Sequence, residues 1–358
     1  MQTVGKFAPL KPVRYRASRW PLIVATIAAA LCLGSGGAFA GDTDTLEAAA
    51  HREGEVTWYV ASIDAQSAEA AGRAFAAKYG LKTNVVHGSS PAMFQRLTQD
   101  LSKDTGNADV FSSVDVGNFA TLKSQGALMA YAPANARDLF PPFRKLDKDN
   151  TFHATIASLI TIAYNSLEVT AEEAPQNWTD LLDPKWSGKI ALAHPAFSGF
   201  AGAWAVQMNK LYGSSFFHKL EQLKPQVSRS PSDTVNLVAS GERPIAVAPI
   251  AMILKDTDEG RRLAVQYPTD GSILVATPSA ILKNAPHPNA AKLFVEFLLG
   301  PEFGNILVAA RYEAMRADVK PLPGAKSAID LKIIRPTMED ITKGVPEVAK
   351  IWRDAFRQ

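Results

Sequence analysis

Residues 85–97 read Val-Val-His-Gly-Ser-Ser-Pro-Ala-Met-Phe-Gln-Arg-Leu, and the run changes character at Gly88. Before the glycine lies an apolar strand end. After it, Ser89 or Ser90 is a natural N-cap and Pro91 suits the first helical position. Met93, Leu97 and Leu101, with Phe94 beside them, then form an apolar stripe at helical spacing. A strand that turns directly into a helix leaves unpaired backbone N–H groups and a partial positive charge at the turn. Two serine hydroxyls beside those donors suit an anion or another acceptor-rich ligand.

The same alternation runs outward on both sides. Thr45 to Arg52 reads as a short helix stopped by Gly54, and Glu55 to Ala61 as a strand rich in β-branched and aromatic residues. Ser62 or Asp64 caps a second helix, with Ala68, Ala71, Phe75 and Tyr79 on one face before Gly80 ends it. Lys82 to Val86 is the next strand and Ala108 to Phe111 a further short one. Strands and helices this closely alternated imply a parallel sheet.

Residues 131–150, rich in Pro, Asn, Asp and Lys, make a surface connection. Ala154 to Tyr164 follows as an apolar run long enough to cross between two sheets. A second α/β unit comes next: a strand at Lys189–Ala193, a helix opening near Ser198-Gly199, a short helix capped by Ser232 and ended by Gly241, and a strand at Pro244–Pro249. Ser272 to Leu282 is a plausible return crossing. His287 to Leu299 is an amphipathic helix with Ala291, Phe294, Val295 and Leu298 inward. Two crossings predict two lobes on a two-stranded hinge, each lobe a mixed sheet flanked by helices. Ligands of open α/β sheets sit beyond the carboxyl ends of the strands. In facing lobes those ends line one cleft.

The first forty residues read as a secretory leader. Lys6, Lys11, Arg14, Arg16 and Arg19 form a basic n-region, Pro21 to Leu33 an apolar stretch, and Ala38-Phe-Ala40 a cleavage site before Gly41. The apolar stretch nearly suffices for an uncleaved anchor, but the Gly34-Ser-Gly-Gly37 break favours cleavage. Arg14 and Arg16 are not adjacent, which argues against a twin-arginine signal. The full chain of 358 residues carries a net charge of +3. Losing five basic residues with the leader leaves 33 basic against 35 acidic, about −2, with no basic stripe for nucleic acid. The single cysteine, Cys32, leaves too, so stability must come from the core. The remaining 318 residues exceed what one core usually serves.

Candidate ligand-binding residues follow from the turns: Ser62, Ser89, Ser90, Ser198 with Gly199, and Ser232, two turns in each predicted lobe. Asp115, just past the 108–111 strand, suits either a cationic ligand group or a helix cap. Tyr59, Phe200, Trp204 and Met252 are candidate cleft walls, or core. Arg229, beside the Ser232 turn, is the nearest basic candidate for an anion. His51, His87, His153, His194, His218 and His287 show no metal-ligand spacing. Ser198 stands in Ala-Phe-Ser-Gly-Phe, so no nucleophile elbow is present, and no phosphate-loop motif occurs. A secreted hydrolase is disfavoured, and neither cofactor nor metal is expected.

Several segments together resemble the type II periplasmic solute-binding proteins of ABC transporters, nearest the ferric-ion-binding branch. They are Val85–Leu97, Ala108–Phe111, Pro184–Ile190, Val238–Glu242, Pro286–Leu299 and Ala309–Arg316. The resemblance implies a hinged receptor in the periplasm, a monomer that delivers a small-molecule solute to an inner-membrane permease. It divides the mature chain into an N-lobe of residues 41–155 and 272–318 and a C-lobe of residues 156–271 and 319–358. The tyrosine pair of the ferric branch falls at Ile250 and Ala251, its histidine near Ile63, and its acidic ligand near Val114, one place from Asp115. Isoleucine offers Fe³⁺ no oxygen, so direct ferric binding is expected to be lost. Ile63, Ile250 and Met252 beside serines and helix N-termini suit a small organic anion such as a carboxylate, phosphonate or phosphate ester. A ferric ion or chelate, or a sensory role through a membrane receptor, is the alternative.

Overall fold

A computed structural model describes residues 41–103, 105–258, 260–321 and 326–356. The predicted leader, its cleavage site and Cys32 lie outside the described residues.

Helix α1 (Gly41–Glu53) turns at Gly54, whose φ of 81° favours glycine, into β1 (Glu55–Ala61). Helix α2 (Ala65–Tyr79), strand β2 (Lys82–His87), helix α3 (Ser90–Ser102), strand β3 (Val110–Ser113) and helix α4 (Val116–Ser124) follow. Strand β1 lies between β2 and β3 and is parallel to both, as the strand–helix alternation predicted. Asp64, not Ser62, caps α2: its carboxylate accepts from the Ser67 amide at 3.1 Å.

The long crossing is β4 (His153–Asn165), buried along almost its whole length. Beyond it lie β5 (Ile190–Ala193), α5 (Gly199–Tyr212), α6 (Ser215–Gln222), β6 (Gln226–Ser228), α7 (Pro231–Ala239), β7 (Ile245–Pro249), α8 (Ile250–Asp258) and β8 (Leu263–Gln266). The return crossing is β9 (Ser272–Ile281). The chain then finishes with α9 (Pro288–Leu298), α10 (Pro301–Ala309), β10 (Ile333–Ile334) and α11 (Met338–Phe356).

The two crossing strands pair with each other. An antiparallel ladder runs from His153 opposite Ser279 to Ile160 opposite Ile273. Past its ends β9 continues beside β3, and β4 continues beside β7. The result is one mixed sheet in the order β2-β1-β3-β9-β4-β7-β5-β6, with β8 and β10 added at its middle. The two predicted mixed sheets are thus continuous as one sheet, joined through the β4–β9 ladder.

Each half has its own core. Trp58, Phe75, Phe294, Phe297 and Phe303 pack together beside β1, with Phe75 edge to face on Phe294 at 4.9 Å between ring centroids. In the other half Trp178, Trp204, Phe216, Phe217 and Trp352 form the equivalent cluster. Trp204 is therefore core and not a cleft wall. Trp352 comes from α11, whose Ile341, Val348, Trp352 and Ala355 make one buried stripe against α5 and α6.

Candidate functional site

Six turns at carboxyl ends of strands converge on a cavity of about 700 Å³, a size usual for a small-molecule site. One half supplies residues 61–64, 87–91 and 114–115, after β1, β2 and β3. The other supplies residues 195–200 and 230–232 after β5 and β6, and Ala251 and Met252 after β7. Tyr312 closes one side, and Ile341 and Val345 of α11 another.

The opening turn of the sequence stands in this wall. Ser89 is the N-cap of α3 but makes no capping hydrogen bond, leaving its exposed hydroxyl free. Ser90 Oγ donates to the Ala61 carbonyl at 3.2 Å, tying the helix end to β1. At Gly88 a Cβ would lie 2.8 Å from Met93 Cε, so a larger residue would push the end of that flexible side chain aside. Beside the turn, His87 Nε2 donates to the Ile63 carbonyl at 2.9 Å. Ser62, 6 % exposed, also lines the cavity, and its hydroxyl has no hydrogen-bond partner. A buried hydroxyl without a partner costs roughly 1–3 kcal/mol, so Ser62 is a donor awaiting an acceptor.

Across the cavity the helix ends are better satisfied. Ser198 Oγ accepts from the Ala201 amide at 3.4 Å at the start of α5. Gly199 sits against the opposite half, where a Cβ would come within 2.8 Å of the Val114 carbonyl oxygen. At α7 the cap is Ser230, which closes a reciprocal box with Asp233, and not Ser232 as the sequence suggested. The reason is Pro231, which takes the first helical position and places the cap one residue earlier. Ser232 still faces the cavity, with Oγ 3.8 Å from Met252 Sδ.

Asp115 caps α4, its Oδ1 accepting from the Gly117 amide at 3.0 Å. It is exposed to cleft solvent; partial desolvation raises its pKa above the usual carboxylate value, and the Gly117 amide opposes the shift. Tyr312, which sequence reasoning missed, has its hydroxyl pKa raised by burial and by the nearby Asp64 carboxylate. Lys255 on α8 was missed as well. It is the one Lys or Arg among the described residues lining the cavity, and it forms no ion pair. An amphipathic reading of residues 250–258 would have flagged it.

Three expected residues lie elsewhere. Tyr59 is fully buried away from the cavity: its hydroxyl donates to Asp100 at 2.7 Å and accepts from Arg96 Nε at 3.0 Å. Alternation along β1 explains this, since Tyr59 and Trp58 face opposite sides of the sheet. Ile250 is 2 % exposed and belongs to the core, so Ala251 and Met252 carry the wall instead. Arg229 stacks on the Phe197 ring at 5.0 Å and does not line the cavity. Among the described residues no group of three His, Cys, Asp or Glu side chains could hold a metal ion.

A family model for bacterial extracellular solute-binding proteins matches residues 106–332, and the chain belongs to that family. A putative 2-aminoethylphosphonate-binding periplasmic protein of Salmonella paratyphi A is 22% identical over 260 residues, 70% of this chain and 71% of the relative. Iron-bound HitA from Pseudomonas aeruginosa superposes with a TM-score of 0.74 at 21% identity, covering 84% of this chain and 99% of that one. AfuA from Actinobacillus pleuropneumoniae, with fructose-6-phosphate bound, gives a TM-score of 0.74 at 24% identity over 85% and 98% of the two chains. Both structures carry the fold of type II periplasmic binding proteins. Family and fold are those of binding proteins rather than enzymes.

Proposed function

We propose that this chain is the substrate-binding component of an ABC importer and captures a small organic anion: a carboxylate, phosphonate or phosphate ester. The observation that supports it most is the pairing of an uncapped α3 N-terminus with the orphaned, buried Ser62 hydroxyl in one cavity. An anion would accept from Ser62, Ser89 and the first-turn amides of α3. Ser198 and Gly199 at α5, and Ser232 with Lys255, would meet it from the other half. The Salmonella relative is named for a phosphonate, and AfuA holds a phosphate ester.

Capture would proceed by closure of the N-lobe (41–155 and 272–318) on the C-lobe (156–271 and 319–358). Strands β4 and β9 would flex as the hinge, since they alone among the described strands run in both halves of the sheet. Export by the cleaved leader would place the receptor in the periplasm, beside an inner-membrane permease.

A thermal-shift screen of the mature chain tests the reading, because a ligand that binds only the native state must raise its melting temperature. Organic phosphonates, phosphate esters and carboxylates are expected to include a stabiliser. Stabilisation by ferric citrate alone would overturn the anion reading. Joint replacement of Ser89, Ser90 and Ser198 by alanine should weaken the stabilising anion by at least about tenfold, given hydrogen bonds to a charged group.

A further inference from the structure

We infer that the ligand is an amphipathic anion, its hydrocarbon body packed against Phe197 and Met252 while its charged group occupies the Ser62 and α3 wall; this rests on the anion reading above. A small anionic group alone leaves most of the cavity unfilled. About 700 Å³ is room for a drug-sized molecule. The orphaned Ser62 hydroxyl and the uncapped α3 end serve only one side of it.

The other side is largely hydrocarbon. Phe197, Pro231 and Met252 line it just after β5, β6 and β7, three neighbouring strands in the sheet. Contacts between these segments make one wall. The Arg229 guanidinium lies 5.0 Å from the Phe197 ring centroid, and Ser232 Oγ lies 3.8 Å from Met252 Sδ. Val345 of α11 extends the same surface. The serine caps on this side are already engaged, Ser198 Oγ with the Ala201 amide and Ser230 Oγ with the Asp233 amide. A sugar-like body would press hydroxyls against carbon here, and a buried hydroxyl without a partner is costly.

Phe197 carries the argument furthest. Of the four exposed large hydrophobic side chains among the described residues, it alone lines the cavity, with 51 % of its surface open. The ring is nevertheless held. Besides Arg229, the His194 ring packs on it with centroids 4.9 Å apart, and His194 Nδ1 accepts from the Ala196 amide at 3.1 Å. An aromatic ring fixed in place yet open to a cavity is pre-organised to cover apolar ligand surface. Met252, half-buried beside it, brings a flexible thioether that adapts to the shape of the body.

Calorimetry on the native mature chain tests this with matched probes: phenylphosphonate against methylphosphonate, phenyl phosphate against methyl phosphate, and phenylacetate against acetate. Glucose 6-phosphate supplies a hydroxylated body of similar size. In at least one pair the phenyl member should bind about tenfold tighter or more, the effect of burying a ring, and phenyl phosphate should outbind the sugar phosphate. Phe197→Ala should reduce the phenyl member's advantage to about threefold or less. A smaller gap in every pair that binds, tighter binding of glucose 6-phosphate, or a variant that weakens both members equally overturns the hydrocarbon body alone. Binding by no probe overturns it together with the anion reading. The comparison within pairs uses the native chain and stands whether or not the variant folds.

Discussion

Gly199 at the start of α5 lies so close to Val114 at the end of β3 that a Cβ there would sit 2.8 Å from the Val114 carbonyl oxygen and 3.3 Å from the Asp115 amide nitrogen. Those are backbone atoms and cannot rotate aside. The contact joins one half of the sheet to the other at the mouth of the cavity, so Gly199 sets how closely the halves approach. Its φ lies outside the left-handed region, and alanine there is strained only by contact. Gly199→Ala should therefore hold the halves apart and weaken ligand binding by about tenfold, within the usual cost of overpacking. Small-angle scattering with saturating ligand should show a larger radius of gyration than the parent. Unchanged affinity and radius would show that the contact plays no part in closure.

Ser62→Ala separates the two roles a serine can have. Its hydroxyl satisfies nothing in the protein, so removing it should leave the ligand-free chain as stable, or more stable by up to about 2 kcal/mol. Ligand affinity should fall by about tenfold at the same time. A fall in ligand-free stability by denaturant unfolding would mean that Ser62 serves the fold instead.

The strand–turn–helix repeat made most of this architecture legible. Gly88 and Pro91 mark the opening turn, and the lengths of 154–164 and 272–282 mark the crossings, because backbone constraints act locally. What the sequence hid was direction. Tyr59 carries the residue type of a binding wall, but whether β1 turns it toward the cavity depends on sheet pairing many residues away. Ser232 and Ser230 differ by two places around one proline, and only the helix register tells them apart. Helix α11 is another matter: its stripe at 341, 348, 352 and 355 was there to be read.

Tyr59→Phe checks the corrected placement of that residue. Its hydroxyl joins Asp100 on α3 to the Arg96 guanidinium, which also lies over the ring at 4.9 Å. Deleting the hydroxyl should cost about 1–2 kcal/mol by denaturant unfolding, the worth of a bond to a charged group. Ligand affinity should stay within about twofold, because no part of Tyr59 lines the cavity. Selective loss of binding with stability intact would return Tyr59 to the site.

Glu313 gives the fold a pH dependence of its own. Its amide donates to the Ala157 carbonyl of β4 at 3.0 Å, and its carboxylate accepts from the Ala328 amide at 3.1 Å. With 7 % of its surface exposed and no ion pair among the described residues, burial pushes its pKa up to about 7. The folded value lies above the unfolded one, so the native state keeps a proton that the unfolded chain releases. The stability from this group is full below the unfolded value of 4.5 and is lost as pH rises through about 7. The loss approaches about 3 kcal/mol at pH 8, at 1.36 kcal/mol per unit. Glu313→Gln keeps the acceptor for Ala328 and cannot ionise. Relative to the parent it should gain about 2–3 kcal/mol at pH 8 and nothing at pH 4, where both side chains are neutral. Denaturant unfolding at the two pH values reads the difference directly, and equal gains at both would place the effect in packing instead of ionisation.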